Sequence, residues 1–290
     1  MKIFLMTLTL LPTSPLVAHK LVSLNIWGGH IKLPLIDFVK SNQDVEIFCL
    51  QEVYHNAQHK ISADDKEVTL NIFSELQKHL PDHNGYFMPV VAGFYGIGMF
   101  IRKDIKVISH GEVIIHKNPI YEGRGPTHGR SLQWVECEVG GNKFYVINVH
   151  GLWNGKGKSD SPARIMQSKR IKGFMNSLKH PIILCGDFNL NPDTQSMRIL
   201  DSGMNNMIAL HHISSTRTSY YPKAGKFADY IITSPEIKVS AFKVMPDEVS
   251  DHAPLYLDFE LKTETQHQPV NKIQSGDAVS QVLHTKATLG

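Results

Sequence analysis

Residues 181–189 read PIILCGDFN: a short apolar run that stops at Gly186, then an acid, an aromatic ring and an amide. The run is rich in aliphatic and β-branched side chains and short enough to be a strand buried on both faces. A polar group placed where such a strand ends is exposed by the loop yet held in position by the strand. Asp187 and Asn189 are therefore candidates for chemistry. In an extended segment their two-residue spacing would turn both side chains to one face.

Working outward, the same pattern recurs. Residues 20–27 (KLVSLNIW) form an expected strand that carries Asn25 and ends at Gly28 and Gly29. The run 45–51 is followed by Glu52, and 143–149 by His150. Asp229 lies in the run 228–233, and Asp251 and His252 precede the run 255–261. Further strands are expected at 86–91, 96–102, 107–116, 131–139, 216–221 and 237–244, with Gly140, Gly141 and Asn142 marking a hairpin. Helices are expected at 33–40, 68–80, 162–178 and 194–200, the third with Ser161 as N-cap and Pro162 at its first position. Many strands among few helices predict an α/β (α+β) architecture: two mixed sheets packed face to face, helices outside, four layers in all.

These segments together resemble the endonuclease/exonuclease/phosphatase superfamily, the DNase I-like fold. The resemblance runs in order from about residue 20 to 261 and rests most on GDFN (186–189) and SDHAP (250–254), with LNIWG (24–28) and LQEV (50–53) beside them. It implies a catalytic domain over 20–261 and hydrolysis of a phosphate ester by metal-assisted attack of water. Carboxylates and amide oxygens suit a hard cation, Mg²⁺ with Mn²⁺ as the alternative. Glu52 is the leading ligand, with Asn25 beside it and Asp251 completing the site. By resemblance, Asp187 orients the attacking water and Asn189 donates to a phosphoryl oxygen. His252 also donates there, with Asp229 holding its ring, and His150 contacts the phosphate or the leaving group.

The bulk numbers agree with such an enzyme without naming its substrate. The chain has 290 residues, 42% hydrophobic and 20% charged, and a net charge of +3. Charge alone thus gives no polyanion signature, although a local basic surface can steer phosphate. Cys49, Cys137 and Cys185 are odd in number and lie in apolar runs, which reads as buried thiols and favours a reducing compartment. Residues 1–19, with Lys2, an apolar stretch and Ala18, form a weak signal-peptide pattern or an N-terminal extension. A cytoplasmic location is favoured, secretion to the periplasm or beyond being the alternative. No run is long enough to span a bilayer, a monomer is expected, and 262–290 reads as a flexible polar tail.

Several candidates compete with ordinary readings. Lys156 and Lys158 in NGKGK (154–158), with Arg164 and Arg170 beyond, grip substrate phosphates or form a solvated basic face. Arg124, His128 and Arg130 in a second Gly-rich loop carry the same two readings, and Trp27 and Trp153 either stack on a base or pack. His55 and His59 have a helical ligand spacing, but no third zinc ligand accompanies them. The favoured function is a phosphodiesterase or nuclease acting on nucleic acid. The rivals are a lipid or inositol-phosphate phosphoesterase, which needs a membrane-contacting loop, and a non-catalytic binding module, which needs a missing key group.

Overall fold

A computed structural model describes residues 18–57, 68–122 and 127–261. Twelve strands and five α-helices follow one another in the described chain: β1 (Ala18–Asn25), α1 (Lys32–Ser41), β2 (Ile47–Tyr54), α2 (Ile72–His79), β3 (His83–Val91), β4 (Tyr95–Arg102), β5 (Lys106–His116), β6 (Arg130–Val139), β7 (Asn142–His150), α3 (Pro162–Met175), β8 (Ile182–Asp187), α4 (Gln195–Asp201), β9 (Asn205–Asn206), α5 (Met207–Leu210), β10 (Asp229–Thr233), β11 (Ile237–Val244) and β12 (Leu255–Leu261). One sheet has the order β11-β12-β1-β2-β4-β3 and the other β5-β6-β7-β8-β10-β9. Each is mixed: β1 and β2 run parallel, as do β7 and β8, and the other pairings are antiparallel. The expected architecture of two mixed sheets face to face is the observed one.

Apolar side chains from both sheets meet in one core, with Leu21, Ile47, Cys49 and Met99 against Val146, Ile183, Cys185 and Ile231. A second core packs α1 and α2 on the outer face of the first sheet through Leu35, Phe38, Ile72 and Leu76. All three cysteines are buried free thiols. A polar tie crosses the interface between the sheets. Gln51 Nε2 donates to Asn148 Oδ1 at 2.7 Å, and Asn148 Nδ2 donates to the Leu50 and Gly98 carbonyls at 3.0 and 3.2 Å.

Turns and caps follow local chemistry. Gly140 and Gly141 have φ of 54° and 82° and join β6 to β7, so the hairpin uses the left-handed region that glycine enters freely. The Ser161 hydroxyl accepts from Arg164 N at 3.3 Å and caps α3. Three expected elements change. The helix expected at 68–80 begins at Ile72, because Thr69 N and Oγ1 are bonded to Gly28 O and Gly29 O instead. The helix expected to reach 178 ends at Met175, where tighter bonds from Ser177 N to Phe174 O and Leu178 N to Met175 O close it. The strand expected at 216–221 is a loop with a single bridge, Arg217 to His252.

Among the described residues no helix is long and apolar enough to cross a membrane. Ala18 and His19 belong to β1, paired with Glu260 and Phe259. Residues 1–17 and 262–290, with the expected leader and tail, lie outside the described residues, as do His59 and Arg124.

Candidate active site

The ends of β1, β2, β7 and β8 and the start of β10 meet at one end of the sandwich. Their register sets the site: Asn25 is level with Gln51, His150 with Asp187, and Asp187 with Asp229. Gly186 makes the close approach of β8 to β7 feasible. It has φ of 134°, and a Cβ there would stand 2.0 Å from the Val149 carbonyl oxygen.

Glu52 reaches the site through a bulge between Gln51 and Val53, with φ of 56°. That left-handed conformation is strained for a residue with a Cβ and re-aims the carboxylate out of the strand's alternation. Asn25 Nδ2 donates to Glu52 Oε1 and to Asp187 Oδ2, both at 3.0 Å, and joins the two carboxylates. Its Oδ1 accepts from Trp27 N at 3.0 Å, which fixes the amide's orientation. His150 Nε2 lies 3.7 Å from Glu52 Oε1 and 3.8 Å from Asp187 Oδ2. Burial, aided by the positive charge of Arg130, holds the His150 imidazole well below its ordinary range. Burial likewise pushes the Glu52 carboxyl up.

On the far side of Asp187, His252 Nε2 stands 3.7 Å from Asp187 Oδ2 and 3.8 Å from Asp251 Oδ1. Burial opposes charge on His252, but the Asp229 carboxylate beside it outweighs that and raises its pKa. The Thr216 hydroxyl donates to Asp229 Oδ2 at 2.9 Å and fixes that carboxylate in turn. Asp187 is buried too, yet the surrounding positive field, above all of His252 with Lys158 and Arg217, holds its carboxyl below the usual carboxylate range.

The structure therefore brings Asn25, Glu52, His150, Asp187, Asp229, Asp251 and His252 together. Asn189 joins them by a different route from the extended one expected. Asp187 Oδ1 accepts from Asn189 N at 2.8 Å, and Asn189 turns to φ of 52° with Nδ2 directed to Gly151 O at 3.3 Å. This is a local side-chain-to-backbone turn in place of strand alternation.

The weaker candidates separate. Arg130 is buried at the start of β6, where its charge interacts with Tyr95, Glu52 and Asp187. Lys158 is buried, and Nζ donates to Phe227 O at 2.8 Å. Lys156 is exposed, and Trp153 is half-buried in the same loop. Trp27 stacks on His30 at 4.4 Å between ring centroids, 7° from parallel. Arg164 serves the fold: it donates to the Leu152, Gly157 and Ser159 carbonyls and braces the loop after His150. Arg170 donates to Ile115 O at 3.2 Å.

Arg217 and Thr216 escaped the sequence reading. Arg217 Nη1 bonds Asp251 Oδ2 at 3.1 Å, and its guanidinium lies 4.0 Å from the Tyr221 ring centroid. The only signal was one arginine in a Ser/Thr-rich run, SSTRTS (214–219), and reading that run as a strand concealed it.

Among the described residues, two groups could hold a cation. Glu52, His150 and Asp187 form one, and Asp187, Asp229 and His252 the other, each with ligand atoms within 4.8 Å of one another. The first fits a resident divalent ion better. Its Glu52 carboxylate is disfavoured by burial, whereas the Asp229 carboxylate of the second is already engaged by His252 and Thr216.

A family model described as "Endonuclease/Exonuclease/phosphatase family" matches residues 22–252. No curated protein matches the sequence. Among solved structures, an endonuclease/exonuclease/phosphatase family protein from Bacteroides thetaiotaomicron is similar with a TM-score of 0.69 and 18% identity, over 88% of this chain and 99% of that one. A mannosyl-6-phosphatase of the same organism gives 0.65 and 17%, over 83% and 99%. D. rerio TDP2 complexed with single strand DNA product gives 0.62 and 16%, over 83% and 98%.

Proposed function

The chain belongs to the endonuclease/exonuclease/phosphatase family, and from that premise we propose that it is a divalent-metal-dependent phosphodiesterase acting on nucleic acid. The observation that carries this reading is the convergence on Asp187: Asn25, His150 and His252 surround its Oδ2 at 3.0, 3.8 and 3.7 Å. A phosphoryl group seated there meets a hydrogen-bond acceptor for water and an imidazole donor together.

In this reading Asp187 holds the attacking water by accepting its hydrogen bond. Its depressed basicity makes positioning its larger share, with the water's proton passing to it as the new P–O bond forms. His252, kept protonated by Asp229, donates from Nε2 to a non-bridging phosphoryl oxygen. His150, held neutral by burial, contacts the phosphate or the departing oxygen as the old P–O bond breaks. Asn189 supplies a further amide donor. Glu52, with Asn25 beside it and Asp251 nearby, would hold Mg²⁺ or Mn²⁺, which when bound neutralises phosphoryl charge and stabilises the leaving alkoxide.

The test is a substrate panel with Mg²⁺, Mn²⁺ and an EDTA control: plasmid DNA, abasic DNA, RNA, sphingomyelin, phosphoinositides and mannose 6-phosphate. Metal-dependent cleavage of a polynucleotide is expected. Turnover confined to a lipid or to a sugar monoester would overturn the nucleic-acid assignment.

A further inference from the structure

Lys158 is 6% exposed, and its ammonium has one hydrogen-bond acceptor, the Phe227 carbonyl at 2.8 Å. Among the described residues no carboxylate lies within ion-pair distance of it. A buried ammonium with two idle N–H donors is costly to keep, and a latch between two loops would need only one donor and no charge. Its position is set by the catalytic frame. Lys158 O accepts from Asn191 N at 2.9 Å, and Ala228 O accepts from Phe188 N at 2.8 Å. The side chain is thus bonded two residues away from Asp229, and the Lys158 backbone carbonyl two residues away from Asn189.

The neighbouring cation is differently occupied. Arg217 is paired with Asp251, and both cations lie against Tyr221, whose ring centroid is 4.0 Å from the guanidinium and 5.3 Å from Lys158 Nζ. Arg217 Nε is buried without a hydrogen-bond partner. Cationic donors are therefore gathered where Arg217 meets Asp251, beside the connection from β11 to β12.

We propose that Lys158, held against Tyr221 beside Arg217, forms an anion subsite next to the scissile phosphate, so that the preferred substrate carries a second phosphate adjoining the one that is cut. This rests on the phosphodiester reading above and narrows it. The second phosphate is either the next one along a polynucleotide or one joined directly as an anhydride; both present the same oxygens to Lys158.

The test is calorimetric binding to the EDTA-treated full chain. The probes are a thymidine dinucleotide with one phosphate, the same dinucleotide with an added 5′-phosphate, inorganic phosphate and pyrophosphate. Wild type should bind the two-phosphate member of a pair about tenfold more tightly, or about 1.4 kcal/mol. The pair that shows the gain tells polynucleotide from anhydride. Lys158→Met should remove the gain and Lys158→Arg retain most of it. If Lys158→Met does not fold, Tyr221→Leu must diminish the same gain. No gain from the second phosphate in wild type, or a gain untouched by these variants, overturns the subsite. A persisting gain in a protein that hydrolyses no diester would instead sink the functional reading and leave the subsite standing.

Discussion

Asp229 presents both carboxylate oxygens to Nδ1 of His252, at 2.8 and 2.9 Å, which leaves Nε2 pointing at Asp187. The pairing is an electrostatic device. A raised pKa in the folded state means that its stabilising contribution is fully present below the unfolded value of about 6.5 and is lost as pH rises through the folded one. In EDTA-treated protein, NMR titration of His252 should give a value above the ordinary histidine value of about 6.5. Asp229→Asn should lower it, with turnover falling roughly 10²- to 10⁴-fold. An unchanged His252 titration in Asp229→Asn would refute the device.

Asp187 is the group around which the other side chains are arranged. Asp187→Ala should abolish turnover, by about 10³-fold or more, while circular dichroism shows the native fold. Wild-type activity in a folded variant would remove the assignment.

Metal binding should be measurable as stability. An ion bound only by the folded chain at a hundred times its Kd contributes about 2.7 kcal/mol, so the Tm of EDTA-treated protein should rise on adding Mg²⁺ or Mn²⁺. Glu52→Gln should shrink that rise to near zero, because it removes the charge at the bulge while keeping the shape. A full rise in the variant would place the ion elsewhere.

His128 is buried, and burial together with Arg130 pulls its pKa down to about 4. The unfolded chain therefore takes up the proton first, and stability falls as pH drops from about 6.5 toward 4. His128→Asn should flatten this part of a denaturant-midpoint profile. The same slope in the variant would assign it to other groups.

Gly186→Ala should destabilise by on the order of 3 kcal/mol, since it adds a Cβ against the Val149 carbonyl at a φ closed to side chains. Chemical denaturation at neutral pH checks this. A change of a few tenths would mean that β7 and β8 can separate without penalty.

Legibility in the sequence followed locality. Strand-end polar residues such as Asn25, His150 and Asp187 were readable because an apolar run and the residue that closes it are adjacent in the chain. Glu52 was readable as a position but not as a bulge, since a positive φ at a glutamate leaves no compositional trace. Thr216 and Arg217 were missed for the opposite reason: their meaning lies in Asp229 and Asp251, 13 and 34 residues away. Arg164 misled, because a basic helix residue and a carbonyl clamp look alike until the loop it braces is visible.

The amide tie between Gln51 and Asn148 has a consequence for how activity is acquired. Glu52 follows one end of that tie and His150 lies two residues past the other, so the candidate centre straddles a seam. Neither sheet alone carries the whole candidate centre. Sliding one sheet by a single residue pair would unseat Gln51 from Asn148 and part Glu52 from His150 in the same motion. On the proposed function, turnover should thus appear only when the two sheets have closed in register, with no weakly active intermediate along the way.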